Sequence, residues 1–313
     1  MKILVTGGTG FIGKALIRHL IENGYIVRTL IRPSSRSPNL PHGVPVDVTV
    51  SSLRDERGLR ASMVGIDVVY HLAGGEWRGT QASLMEIDIQ GTRAVVSAAK
   101  DAGVKQIFYI SHLGADRASA YPVLKAKAIA EEFIRRSEIN YTIIRSAIVF
   151  GPGDGLTTGL ARIMSVLPYV ILIPGDGKVL LQPLWVEDLA TCLTWILEDA
   201  DTVNRTIDVG GPEHLPFSQI IELVMEATGI RRHIISVRAP YLRAMSVFFE
   251  SIFPNLPVSV YWLDYLASNR TCALDTMPRV FNLMPSRISQ RLDYLEGQKW
   301  GLSLIRSLLT RSR

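Results

Sequence analysis

The pentapeptide Lys2-Ile3-Leu4-Val5-Thr6 runs without a break into Gly7-Gly8-Thr9-Gly10-Phe11-Ile12-Gly13, and helical apolar spacing follows from Phe11 to Asn23. A strand, a glycine loop with glycines three apart, and a helix leave few folds open. Gly7 permits a tight turn out of the strand, Gly10 lets a pyrophosphate approach the backbone, and Gly13 lets the helix pack against the sheet. The free N–H groups and positive dipole end of that helix suit phosphate oxygens. The loop therefore nominates Gly7, Thr9, Gly10, Phe11, Ile12 and Gly13 as dinucleotide contacts. A Walker A loop would end in Gly-Lys-Ser/Thr, but Gly13-Lys14-Ala15 has no hydroxyl to hold magnesium. ATP hydrolysis is accordingly disfavoured.

The rest of the first half repeats the alternation. Runs at Ile26–Ile31, Val44–Val48, Val68–Leu72, Gln106–Ile110 and Thr142–Arg145 read as strands, most of them continuously apolar. That is the pattern of parallel strands covered on both faces. Helical segments at Leu53–Met63, Thr80–Ala102 and Tyr121–Ser137 lie between them. The expected fold is α/β, a doubly wound parallel sheet of Rossmann type. The second half is less regular: a strand at Leu180–Trp185, a helix at Glu187–Leu197, a strand at Thr206–Val209 and a helix at Phe217–Thr228. With no Pro/Ser/Gly-rich linker, residues 1–150 read as the nucleotide-binding domain. Residues 151–313 read mainly as a smaller α-rich lobe, with the stretch around 178–212 returning to the sheet.

Composition narrows the function classes. Of the 313 residues 47% are apolar and 20% charged, enough for a large core and incompatible with a disordered chain. Two cysteines and six histidines without an HxxxH pair predict neither a disulfide framework nor a metal site. Net charge +5 favours anionic partners, but the basic residues are spread out, so nucleic acid is a weak reading. The apolar strand starts at Lys2, leaving no room for a signal peptide, and no stretch is long enough for a transmembrane helix. A cytoplasmic location is expected, with peripheral membrane contact as a further expectation. Mean hydropathy is +0.20, high for a freely soluble enzyme. Part of it lies in Pro240–Phe253, where Leu242, Met245, Phe248, Phe249, Ile252 and Phe253 recur at helical spacing. That stretch reads as a packed substrate lobe, or as a surface meeting a membrane, an apolar ligand or a membrane complex.

Strand two ends Ile31-Arg32-Pro33-Ser34-Ser35-Arg36. An Asp or Glu here would bind the ribose 2′-hydroxyl of NAD, whereas Arg accommodates a 2′-phosphate. Arg32, supported by Ser35 and Arg36, favours NADP(H) over NAD(H). Asp47 and Val48, at the end of the third strand, are placed to meet the adenine.

After the fifth strand come Ser111-His112 and then Tyr121-Pro122-Val123-Leu124-Lys125, a YxxxK spacing. Tyr121 and Lys125 would share a helix face, and the ammonium would lower the phenol pKa. Ser111, Tyr121 and Lys125 are the expected catalytic residues, with Lys125 also reaching the nicotinamide ribose. The glycine loop, His71-Leu72-Ala73-Gly74, Ser111, YxxxK, Thr142–Gly151, Pro183–Ala190 and Gly210-Gly211-Pro212-Glu213 together resemble the extended short-chain dehydrogenase/reductase superfamily. The short Ser111-to-Tyr121 spacing is most similar to its atypical branch, which includes the NADPH-binding accessory subunit of respiratory complex I and photosynthetic assembly factors. The resemblance implies the strand order 3-2-1-4-5-6-7. It also implies that Leu72, Ala73 and Gly74 line the cofactor, with Ser146, Ala147 and Ile148 near the nicotinamide. Ser146 stands where the family usually has Pro, and His112 where a second Ser or Thr is common. Three functions follow as expectations: an NADPH-dependent oxidoreductase on an apolar substrate, a non-catalytic NADPH-binding accessory or assembly protein of a membrane electron-transfer complex, and a nucleotide-sugar epimerase or dehydratase.

Overall fold

Seven parallel strands form the centre of the molecule. The computed structural model describes residues 1–34, 40–41, 43–75, 83–252 and 259–309, the last five as backbone only. The chain runs through β1 (Lys2–Thr6), α1 (Phe11–Glu22), β2 (Ile26–Ile31), β3 (Asp47–Val50), α2 (Glu56–Met63), β4 (Val68–His71), α3 (Gly91–Asp101), β5 (Gln106–His112), α4 (Pro122–Arg135) and β6 (Asn140–Ser146). It continues through β7 (Val149–Phe150), α5 (Thr157–Val166), β8 (Val170–Pro174), β9 (Leu180–Leu181), β10 (Leu184–Trp185), α6 (Val186–Trp195), β11 (Arg205–Val209), β12 (Leu215–Pro216) and α7 (Phe217–Thr228). The last elements are β13 (His233–Val237), α8 (Ala239–Ile252), α9 (Val260–Tyr265), α10 (Thr276–Phe281) and α11 (Trp300–Leu309). The main sheet has the order β11-β6-β5-β4-β1-β2-β3, so the expected 3-2-1-4-5-6-7 arrangement is present, with β11 as seventh strand.

Apolar packing fixes both faces. Ile3, Val5, Tyr70, Phe108 and Ile144 meet Leu16 and Leu20 of α1, Leu189 and Leu193 of α6, and Met277 and Phe281 of α10. Leu4, Val69, Ile107 and Ile143 point the other way, onto Leu59 and Met63 of α2, Val95 and Ala99 of α3, and Ala130 and Ile134 of α4. The alternation between faces follows from the period-two geometry of a strand. The two-stranded pairs β7–β10, β9–β12 and β8–β13 organise a second core around α5 and α7, containing Leu160, Met164, Ile173, Phe217 and Ile221. Gln182, fully buried, joins three segments: its Nε2 donates to the Gly211 carbonyl at 2.7 Å, and its Oε1 accepts from Cys272 N at 2.7 Å.

Three expected elements differ. The third strand spans Asp47–Val50 rather than Val44–Val48. Pro45 has no N–H to give a ladder, so pairing starts beyond it. The run Leu180–Trp185 splits into β9 and β10 at Gln182-Pro183 for the same reason, and neither half enters the main sheet. The long helix expected over Thr80–Ala102 is π-helical from Met85 to Gln90 and continues directly as α3. Helix α8 buries Leu242, Ser246 and Glu250, one turn apart, and Glu250 Oε1 accepts from Val260 N at 2.8 Å. Its apolar side chains Phe248 and Ile252 are 60% and 51% exposed. Phe253 lies outside the described residues.

Candidate functional site

A cavity of about 760 Å³ follows the C-terminal edge of β2, β1, β4, β5 and β6. This is where open α/β sheets bind their ligands. The glycine loop forms one wall, and its shape excludes side chains. Gly7 sits at φ +77°, and a Cβ there would lie 2.7 Å from the Leu72 carbonyl carbon. At Gly13 a Cβ would approach the Gly7 carbonyl oxygen to 2.3 Å. The Gly10 N–H donates to that same oxygen at 2.9 Å, closing the turn that opens α1. Thr9, Gly10, Phe11 and Ile12 complete this wall, and Leu72, Ala73 and Gly74 face it from the end of β4. A cradle that any Cβ would fill fits a dinucleotide pyrophosphate.

Arg32 stands exposed at the end of β2 and lines the cavity. A second arginine, Arg54, enters the lining from the loop after β3 and pairs with Glu86. Ser35 and Arg36 lie outside the described residues. Asp47 and Val48 do not reach the cavity. Because the strand starts at Asp47, that residue sits at the far end of the ladder, its Oδ2 accepting from Arg28 Nε at 2.8 Å. Arg28, with Lys2 in support, holds the Asp47 carboxyl below the usual range. Ser51, Ser52 and Leu53 occupy the position expected for Asp47 and Val48.

The other end is formed by Ser111, His112, Lys127, Ser146, Ala147 and Ile148. Neither Tyr121 nor Lys125 belongs to this lining. Lys125 is exposed, whereas Lys127 is 3% exposed. The reason is the phase of α4, whose inward positions are Leu124, Lys127, Ala128, Glu131 and Ile134. The lysines are two positions apart, about 200° around a helix. Tyr121 is the N-cap of α4, and its ring lies 5.9 Å from the Arg270 guanidinium carbon. One turn before Lys127 on α4 stands Val123, so the phenol nearest the buried lysine comes from β5: its Nζ lies 5.7 Å from the centroid of the Tyr109 ring.

Lys127 Nζ lies 3.0 Å from Asp88 Oδ1, and both side chains are nearly inaccessible. Asp88 Oδ2 also accepts from Gly75 N at 3.1 Å, which ties the π-helical turn to the loop after β4. Behind them His71 is fully buried, with Nδ1 2.7 Å from Thr6 Oγ1 and Nε2 2.9 Å from Thr92 Oγ1. Burial first and the Lys127 charge second push its pKa down to about 3, so the imidazole is neutral. One turn past Lys127, Glu131 meets Arg145 at 2.7 and 2.9 Å and Arg135 at 2.7 Å, beside Ser111. Burial opposes its ionisation, but these partners outweigh it and hold the carboxyl below the usual range. His112 stands against an aromatic wall, its ring centroid 6.4 Å from both Tyr261 and Tyr265. No group of acidic, His and Cys side chains suited to a metal ion occurs among the described residues.

Residues that the sequence reading passed over are therefore Lys127, Asp88, Arg54 and the Tyr261-Trp262-Tyr265 wall. A signal for Lys127 was present: Lys127 and Glu131 share a helix phase with Leu124 and Ile134, the apolar positions of that face.

A family model described as NAD(P)H-binding matches residues 7–160. The fold and the glycine-walled cavity thus belong to an NAD(P)-binding domain of Rossmann type. Its homologues include a respiratory-complex subunit and a photosystem assembly factor, the kinds of protein that the sequence resemblance named. The chain is 27% identical over 262 residues to the mitochondrial NADH dehydrogenase (ubiquinone) alpha-subcomplex subunit 9 of Arabidopsis thaliana, covering 81% of this chain and 64% of the relative. It is 30% identical over 193 residues to a ceramide reductase of Caulobacter vibrioides, covering 61% and 59%. A photosystem II assembly factor of Cyanophora paradoxa is 25% identical over 314 residues, covering 95% and 91%. The chain thus spans less than two thirds of the length of the first two of these relatives. Among solved structures, the UDP-glucose 4-epimerase of Thermotoga maritima shares the fold at TM-score 0.69 and 22% identity, covering 99% of this chain and 100% of that one. No helix among the described residues is long and apolar enough to cross a membrane.

Proposed function

We propose that the protein binds NADP(H) and reduces the carbonyl of an apolar substrate. One observation carries this reading: a single cavity runs from the glycine loop to Ser111, His112 and Lys127, and its far wall is aromatic. When bound, the reduced nicotinamide supplies hydride. Lys127 holds the ribose at that end, positioned by Asp88. Ser111 hydrogen-bonds the substrate oxygen. His112 carries the proton that this oxygen takes up, replacing the phenol expected at Tyr121. Apolar side chains of the C-terminal lobe receive the rest of the substrate. The ceramide reductase relative supports a lipid-like carbonyl compound as the class. Arg32 and Arg54, with no acid at the end of β2, support the 2′-phosphate and hence NADP(H).

Arg32→Asp should weaken NADPH at least tenfold and leave NADH nearly unchanged; equal losses would refute the 2′-phosphate role. His112→Gln should abolish ketone reduction while NADPH still binds, and undiminished turnover would remove His112 from the reaction. A second reading has its own support. Val123 stands where a phenol would sit above Lys127, and relatives include a respiratory-complex subunit and a photosystem assembly factor. If wild-type protein binds NADPH, turns over no carbonyl compound and co-purifies with a membrane electron-transfer complex, the accessory role takes its place.

A further inference from the structure

A second cavity, of about 440 Å³, lies between α5, β8, α8 and α9. Its volume falls within the roughly 300–1,000 Å³ typical of small-molecule sites. Leu160, Ile163, Ile173, Phe217, Met245 and Phe249 are among its walls, and among the described lining residues Ser246, Ser259 and the Trp262 indole carry the polar side-chain atoms. The Ser259 hydroxyl is buried without a hydrogen-bond partner among the described residues, and its residue is 7% exposed. Gly155 and Trp262 line both this cavity and the nucleotide cavity. They stand at the junction, or neck, where the two cavities adjoin. A Cβ at residue 155 would come within 3.1 Å of the Trp262 ring, so any side chain there would crowd this neck. At the other side the lining residues Val166, Met245 and Phe249 are 53%, 40% and 40% exposed, which marks a mouth at the surface.

We infer that this cavity holds the aliphatic chain of a single-chain lipid whose head reaches the neck and the Ser111–His112 end of the nucleotide cavity. The inference rests on the reductase reading for the identity of the head, a carbonyl. The chain site itself follows from the walls, the neck and the mouth. A polar ligand such as a sugar would leave most of its hydroxyls facing carbon in this cavity, at a cost that two serine hydroxyls cannot offset. An alkyl chain gains from every methylene it brings out of water. The Ser259 hydroxyl suits one oxygen substituent along the chain.

The test uses the full-length protein with NADP⁺ bound and a series of straight-chain 2-alkanones titrated calorimetrically. Affinity should rise roughly threefold to fourfold per methylene, the value of burying one CH₂, until the cavity is full. Met245→Asp puts a charge at the mouth, where it should not disturb folding. Leu160→Trp fills the interior. Each should lower the affinity of the longest ketones at least tenfold and flatten the chain-length dependence, with NADPH affinity read in parallel to show that the variant is folded. A flat dependence in the wild type, or one that survives both substitutions, overturns the lipid-chain site. The two proposals fail separately. Turnover of short ketones with no chain-length dependence leaves the reductase and removes the chain site. A steep dependence abolished by the variants, without turnover, leaves the chain site and removes the reductase.

Discussion

Lys125 and Lys127 stand two residues apart on one helix, and replacing each by Met separates the structural reading from the YxxxK reading. Lys127 is 3% exposed and pairs with an Asp88 that is 1% exposed, at 3.0 Å. Removing one partner of a buried pair leaves the other charge uncompensated, a loss of about 3–5 kcal/mol. Asp88 would keep its hydrogen bond from Gly75 N, which argues for the lower half of that range. Lys125 is exposed, so its replacement should change stability by no more than about 0.5 kcal/mol. Urea denaturation of both variants reads the stability directly, and fluorescence titration reads NADPH affinity. The double variant Lys127→Met/Asp88→Asn should regain most of the lost stability but not the NADPH affinity, because the ribose contact remains absent. A larger loss of stability and of NADPH affinity from Lys125→Met than from Lys127→Met would refute the placement of the site on the inner face of α4.

Other consequences can be measured on the same protein. His71 is held neutral with a pKa near 3, below the usual 6.5, so its contribution is complete above about pH 6.5 and is lost as pH falls toward 3. Well inside that window the loss approaches about 1.4 kcal/mol per pH unit, and the stability difference between wild type and His71→Gln should narrow accordingly; a constant difference would contradict the assignment. Gly13→Ala forces a Cβ within 2.3 Å of the Gly7 carbonyl oxygen and 2.8 Å of Gly8 Cα. It should cost about 1–3 kcal/mol and weaken NADPH, so an Ala variant with wild-type affinity would mean that the loop is not the phosphate site. Gln182→Leu keeps the volume but strands the Gly211 carbonyl and the Cys272 N–H, with an expected loss of about 1–3 kcal/mol for each by thermal or chemical unfolding.

The parallel sheet was legible because its strands are continuous apolar runs; β1 and β2 have the bounds read from the sequence. The third strand was misplaced by three residues because apolarity alone does not register that Pro45 lacks a donor. That displacement put Asp47 and Val48 at the wrong end of the ladder. That Lys127 rather than Lys125 lines the cavity has a different reason. A motif spacing fixes only the relative positions of two residues, whereas burial depends on the phase of the whole helix. Leu124, Ala128 and Ile134 set that phase, and it selects Lys127. The aromatic wall and the second cavity were not legible, since Gly155 and Trp262 are brought together only by the packing of α9 against the start of α5.

The π-helical stretch from Met85 to Gln90 carries information of an unusual kind. A π turn holds one more residue than an α turn, and such turns occur mostly as single bulges inside α-helices, often at functional sites. Glu86 and Asp88, the partners of Arg54 and Lys127, both lie within it. Deleting one residue here would let the turn relax into a straight continuation of α3, at the cost of the buried Lys127–Asp88 pair. Both carboxylates would then rotate out of register with their cations. In this protein the charge balance at the nucleotide cavity is therefore encoded in chain length as well as residue identity.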